Sequence, residues 1–221
     1  MSALLKPRLR VLVSMCALAC GPALSAAAQA RNLKDLATGK LLVASRSVTN
    51  RQFRHTVVLL IQVDDKGAAG LVLNRPTSET LAQLFPKLPA ARGRTDVAYW
   101  GGPEAATQIV SLVTVPAPLR EGRQVLPGLY VSTTRALMEL ALNAQKGPGS
   151  FRIYRGYAGW APGKLPYELA EGRWYVLPAS SQVVFDPNPA TLWARLTAHT
   201  LHPPQPATDA KIYGPGAVAK W

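Results

Sequence analysis

Thr56-Val57-Val58-Leu59-Leu60-Ile61-Gln62-Val63, then Asp64-Asp65-Lys66-Gly67, then Gly70-Leu71-Val72-Leu73 and Asn74-Arg75-Pro76, is the stretch that decides the fold. The first segment is apolar and rich in β-branched residues, so it reads as a buried strand. Asp64 to Gly67 is a hairpin turn signal, and Gly70 to Leu73 reads as the returning strand. Asn74-Arg75-Pro76 closes the unit, because the residue before a proline is steered away from helix.

Strands also read at Leu41 to Ala44, Asp96 to Trp100, Gln108 to Val115, Leu129 to Ser132, Phe151 to Tyr157 and Arg173 to Leu177. Ser78 is expected to cap a short helix over Glu79 to Phe85 that stops at Pro86. Thr133 or Thr134 caps a second helix, in which Leu137, Leu140, Ala141 and Ala144 fall at i, i+3, i+4, i+7 and predict one apolar face. Gly159-Trp160-Ala161-Pro162-Gly163 reads as a turn before a helix starting near Pro166. Asn188-Pro189 opens a last helix with Leu192, Trp193 and Leu196 facing inward. Hairpins first and strand-helix alternation later predict an α+β fold rather than a doubly wound sheet.

The chain has 221 residues and a formal charge of +13. Lys6, Arg8 and Arg10, the apolar run Val11 to Cys20 and the segment ending Ala28-Gln29-Ala30 make the tripartite pattern of a secretory signal over residues 1–30. The run is about half of the ~20 residues that span a bilayer. Cys20 offers lipidation as an alternative, but Ala17-Leu18-Ala19 fits the usual Leu-small-small order poorly. Cleavage removes three basic residues and no acid, which lowers the charge to +10. It also removes Cys16 and Cys20, the only cysteines, and with them any disulfide or thiol nucleophile. The expectation is a periplasmic or secreted protein with one domain over residues 31–202 and a Pro/Gly-rich, disordered tail over 203–221. Such a basic surface is drawn to anionic membrane components. The scattered basic residues form no nucleic-acid arm, and export argues against that partner.

Several chemistries lack their residues. His55, His199 and His202 are the only histidines and none lies in HExxH; His199 and His202 suit a helix C-terminus better than a metal. No G-x-S-x-G elbow supports a serine nucleophile, and Ser45, Ser47, Ser132 and Ser180 read as turn, cap or strand-end residues. No cofactor motif is present. Gly101-Gly102-Pro103 is a tight turn that needs a positive φ or, alternatively, a loop offering N–H groups to an anion. Asn74 and Arg75 stand just beyond a buried strand, where the guanidinium holds either a ligand's phosphate or carboxylate or the carbonyls of a neighbouring loop. In Gly156-Tyr157-Ala158-Gly159-Trp160 the large aromatics pack a core or stack on a ligand. Glu168 reads as a solvated glutamate or as an acid or base, and Asp186 is a second such carboxylate.

These blocks resemble the YqgE/AlgH family. The residues that carry the resemblance are Gly39-Lys40-Leu41-Leu42-Val43-Ala44, Phe53-Arg54-His55-Thr56-Val57-Val58, Gly67-Ala68-Ala69-Gly70-Leu71-Val72-Leu73-Asn74-Arg75-Pro76, Gly101-Gly102-Pro103, and Gly156-Tyr157-Ala158-Gly159-Trp160 with Gly163, Leu165, Glu168, Leu169 and Trp174. The resemblance implies an α+β fold whose bent mixed or antiparallel sheet forms a pseudo-barrel with flanking helices, and no established enzymatic activity. It also implies cytoplasmic members, some linked to transcription, from which the leader departs. Gln62-Val63 stands where members often carry Glu-His, and Glu104 where Val commonly follows Pro103. The resulting expectation is a noncatalytic envelope module that binds a small anionic ligand or a protein partner. Its candidate contacts are Asn74, Arg75, Gly101, Gly102, Tyr157, Trp160 and Glu168. The alternatives are an envelope enzyme using Glu168 or Asp186, and a regulatory or nucleic-acid-associated protein.

Overall fold

Val57, Leu59 and Ile61 point to one side of their strand and Val58 and Leu60 to the other, and all five are buried. A strand covered on both faces needs a continuous apolar run rather than alternation. The computed structural model describes residues 35–116, 119 and 121–201; the expected leader, the tail and His202 lie outside the described residues, as do the side chains of the last turn around His199.

Ten strands occur, namely β1 (Lys40–Ala44), β2 (Val57–Asp64), β3 (Gly67–Val72), β4 (Pro76–Thr80), β5 (Val97–Trp100), β6 (Glu104–Thr114), β7 (Arg123–Leu126), β8 (Leu129–Ser132), β9 (Phe151–Trp160) and β10 (Trp174–Pro178). They make one sheet in the order β10-β1-β2-β3-β9-β6-β8-β7, with β5 on β9 and β4 on β5. All ladders are antiparallel except β5 with β9. Among the described residues no ladder joins the outer strands β10 and β7, so this is an open, mixed sheet and not a closed barrel. The helices are few: α1 (Leu81–Leu84), α2 (Arg135–Asn143), α3 (Lys164–Ala170), α4 (Ser181–Val184) and α5 (Pro189–Leu201).

The sheet bends. Leu41, Leu59 and Leu71 of β1 to β3 share one cluster with Leu112, Val125 and Val131 of β6 to β8. The outer face of β1 to β3, β10 and the end of β9 carries Leu42, Leu60, Trp174 and Trp160, covered by Leu165 and Leu169 of α3. The outer face of β6, β8 and β9 carries Val113, Tyr130 and Ile153, covered by Leu137, Met138, Ala141 and Leu142 of α2. Each fully buried Leu or Val removes enough apolar surface to stabilise the fold by about 1.5–3 kcal/mol.

β9 serves both outer clusters because its side-chain alternation reverses. Phe151 and Ile153 point outward and Tyr154 inward, yet Ala158 and Trp160 beyond Gly156 point outward again. Gly156 has φ +68°, and opposite it the β6 register slips between Glu104 and Ile109. Such a bulge re-aims every later side chain.

Local expectations need correction in five places. The segment read as helix from Glu79 begins as β4, and the cap is Thr80 rather than Ser78, because Thr80 and Gln83 form a reciprocal capping box. α2 buries Leu137, Met138, Ala141 and Leu142 and leaves Leu140 54% exposed, so the apolar stripe is displaced from the one expected. Gly159-Trp160 belongs to β9 and is not a turn. Arg123–Leu126, not read as a strand, pairs with β8. The four-residue α4, capped by Ser180, also went unread.

Candidate functional site

Asn74 and Arg75 brace the entry to the sheet. The Val57 N–H donates to Asn74 Oδ1 at 2.9 Å, and Asn74 Nδ2 donates to the His55 carbonyl at 2.8 Å. His55 takes φ +58°, which the bracing holds in place. Arg75 donates to the carbonyls of Arg54 at 3.0 Å and Arg51 at 3.3 Å, and its guanidinium lies 5.3 Å from the Trp100 ring centre. Burial and the neighbouring Arg54 charge lower its pKa. Of the two roles open to Arg75, the geometry has it holding loop carbonyls.

Gly101 joins two strands: its N–H donates to the Arg155 carbonyl at 2.9 Å, and its carbonyl accepts from Val72 at 3.0 Å. Its N–H is thereby used within the sheet instead of being offered to an anion. Gly102 has φ +153°, and its Cα faces the backbone of Tyr157 and Ala158 with no room for a side chain.

Trp160 and Trp174 meet edge to face with ring centres 6.0 Å apart, and Phe53 packs against both. Both indole N–H groups donate to Glu168 Oε2, at 3.0 Å from Trp160 and 2.8 Å from Trp174. The Glu168 side chain is only 14% exposed, with Lys164 Nζ 3.9 Å from Oε1. Glu168 is therefore not the solvated residue expected from its type. Trp160 is a core residue, 7% exposed.

Asp186 is tied down as well. It accepts from Arg195 at 2.6 Å and from the Asn188 N–H at 2.7 Å. The buried Arg152 guanidinium donates to the carbonyls of Val184, Asp186 and Pro148. Burial alone would raise the Asp186 pKa; the hydrogen bonds from Arg195 and Asn188, with the charges of Arg195 and Arg152, outweigh it and hold the carboxyl below its ordinary value. A depressed folded-state pKa contributes stability above the unfolded value of about 3.9 and loses it as pH falls further. The stability gap between wild type and Asp186→Asn, read from urea midpoints, is expected to be constant from pH 7 to 5 and to shrink below pH ~4. A gap unchanged down to pH 2.5 would contradict that assignment.

A more open concavity lies elsewhere. A groove of about 990 Å³ lies between the tip of the β2–β3 hairpin, the bulged start of β6 and the segment leading into β7. Lys66, Glu104, Glu121 and Arg123 line it, with Gln62, Gln108, Thr133 and Tyr157 between them. Arg123 donates to Gln62 Oε1 at 3.0 Å across the groove. Among the described residues none of these four charged groups belongs to an ion pair. Ala105, beside Glu104, takes φ +44°, a strained conformation of the kind that gathers at functional sites.

Of the residues singled out from sequence, Tyr157 and Trp160 line this groove. Asn74, Arg75, Gly101, Gly102 and Glu168 do not. Gln62 and Glu104 do, and they were visible in sequence only as departures from a family pattern. Glu121, Arg123 and Lys66 carried no signal, since the fold brings the β2–β3 turn with Lys66 to the distant segment that holds Glu121 and Arg123. Among the described residues no group of three or more His, Cys, Asp and Glu could hold a metal, and no helix is long and apolar enough to cross a membrane.

A protein designated UPF0301 from Streptomyces avermitilis is 35% identical over 71% of this chain and 82% of its own length. One from Chlorobium chlorochromatii is 32% identical over 73% and 85%. A crystal structure from Corynebacterium diphtheriae superposes with a TM-score of 0.64 at 25% identity, covering 78% of this chain and 89% of that one. The solution structure of the AlgH protein from Pseudomonas aeruginosa gives 0.60 at 29% identity, covering 74% and 88%. The family model described as AlgH-like, DUF179, matches residues 41–204, and the chain belongs to that family.

Proposed function

We propose that the protein is a noncatalytic binding module of the cell envelope, whose groove takes a polypeptide segment carrying both charges. The observation that carries this reading is the groove itself: two acids and two bases face one concavity without pairing among themselves. Charges held apart on a concave surface are arranged for a complementary partner, which gains specificity from both signs. The bent, open sheet is read as a pseudo-barrel whose unclosed end is this groove. Export rests on the basic, apolar and small-residue order of residues 1–30. An envelope enzyme gains nothing from Glu168 or Asp186, whose oxygens are occupied by indole and guanidinium donors.

The test is equilibrium binding of purified protein to fractionated envelope proteins, with the double variant Glu104→Lys/Arg123→Glu beside wild type. A saturable partner is expected, weakened about tenfold or more by the charge exchange, as for closely matched charge pairs. No saturable partner, or a partner indifferent to the exchange, would overturn the reading. Amino-terminal sequencing of the protein from the periplasmic fraction tests export; an intact Met1 there or retention in the cytosol refutes it.

A further inference from the structure

The loop after α1 and the first turn of α2 enclose a second concavity, of about 380 Å³, on the other side of the Ser132–Thr134 turn from the polar groove. Its walls are Leu84, Phe85, Leu88, Ile109 and Met138. Pro86 lies in the wall formed by the loop after α1, and its ring fixes φ there, which limits how far that part of the wall can move. The volume lies in the range of about 300–1,000 Å³ typical of small-molecule sites and is too small for a folded partner.

Charge decides the occupant. Among the described residues, Lys87 and Arg135 are the only charged ones lining the cavity, and both are cations. Arg135 is engaged with Glu139 on the exposed face of α2 at 2.6 Å, which leaves Lys87 in no ion pair among the described residues. An apolar chamber with an uncompensated cation at its rim complements a molecule with an apolar body and an anionic head. An alkylammonium of equal length would bury the same area but meet Lys87 with like charge. We infer that this cavity is a binding site for a small amphiphilic anion, of the class of a medium-chain carboxylate. It is a separate concavity from the partner groove, with which it shares the wall Ser132–Thr134.

Met138 gives a direct readout. The chain holds three methionines, Met1, Met15 and Met138, so the full-length protein labelled with ¹³C-methyl methionine yields few signals, and Met138→Leu identifies the one in the cavity wall. Titration with sodium decanoate below its micelle concentration is expected to move that methyl signal along a saturating curve. Decyltrimethylammonium is expected to bind about tenfold or more weakly. Lys87→Glu, a change on an exposed loop, is expected to weaken decanoate by about tenfold while leaving the urea midpoint unmoved. Met138→Trp, which fills the chamber, is expected to abolish binding; should it unfold, Lys87→Glu carries the test alone. A Met138 methyl that does not shift, a shift that does not saturate, equal affinity for the cationic analogue, or indifference to Lys87→Glu would each overturn the assignment.

Discussion

Gly102→Ala is expected to cost about 4 kcal/mol of folding stability, a value confined to a few mechanisms of which backbone collision is one. A Cβ at Gly102 would stand 2.1 Å from the Tyr157 carbonyl carbon, 2.2 Å from the Ala158 nitrogen and 2.3 Å from the Tyr157 oxygen. These are main-chain atoms, so no rotamer change relieves the contact. β9 cannot recede either, because it is laddered to β3 and β6. The φ of +153° adds strain for any residue with a Cβ. Gly93 is the control: its φ is +74° but a Cβ there meets nothing within 4 Å, so Gly93→Ala is expected to cost only about 1–2 kcal/mol. Urea midpoints at constant slope measure both, and a Gly102→Ala loss no larger than that of Gly93→Ala would refute the argument.

Glu168→Ala is expected to cost about 3 kcal/mol. The substitution strands two buried indole donors at once, and each unsatisfied buried donor costs roughly 1–3 kcal/mol. Glu168→Gln keeps a carbonyl acceptor and is expected to lose less than half as much, which separates the hydrogen bonds from simple loss of side-chain volume. The two variants should also part in tryptophan fluorescence, since only Glu168→Ala admits water to Trp160 and Trp174. Equal losses in both variants would sink the account.

Much of the fold was legible where chemistry is local. The Asp64-Asp65-Lys66-Gly67 turn, the apolar run of β2 and the Thr134 cap of α2 each follow from residues a few positions apart. The glycines of Gly156-Tyr157-Ala158-Gly159-Trp160 misled, because a glycine that permits a bulge looks in sequence like one that ends a strand. β7 was missed because Arg123-Gln124-Val125-Leu126 buries mainly Val125, too little for a pattern. The shift in the α2 face has a similar cause: Met138 and Leu142 fit the helical period as well as Leu140 and Ala144, and only the position of the sheet chooses between them. The site was harder still. Asn74, Arg75, Gly101, Gly102 and Glu168 stood out because strict geometry leaves strict residue types, and the structure has them holding the framework. The groove residues stood out little, since a binding surface asks only for charge in the right place.

The reversal at Gly156 has a consequence for how the molecule comes apart. One continuous backbone belongs to the layers on both flanks, so neither flank can open while β9 keeps its amide bonds to the other. Native-state hydrogen exchange should find the β9 amides among the slowest, opening only with global unfolding, and the two flanks melting as one cooperative unit instead of as separate foldons.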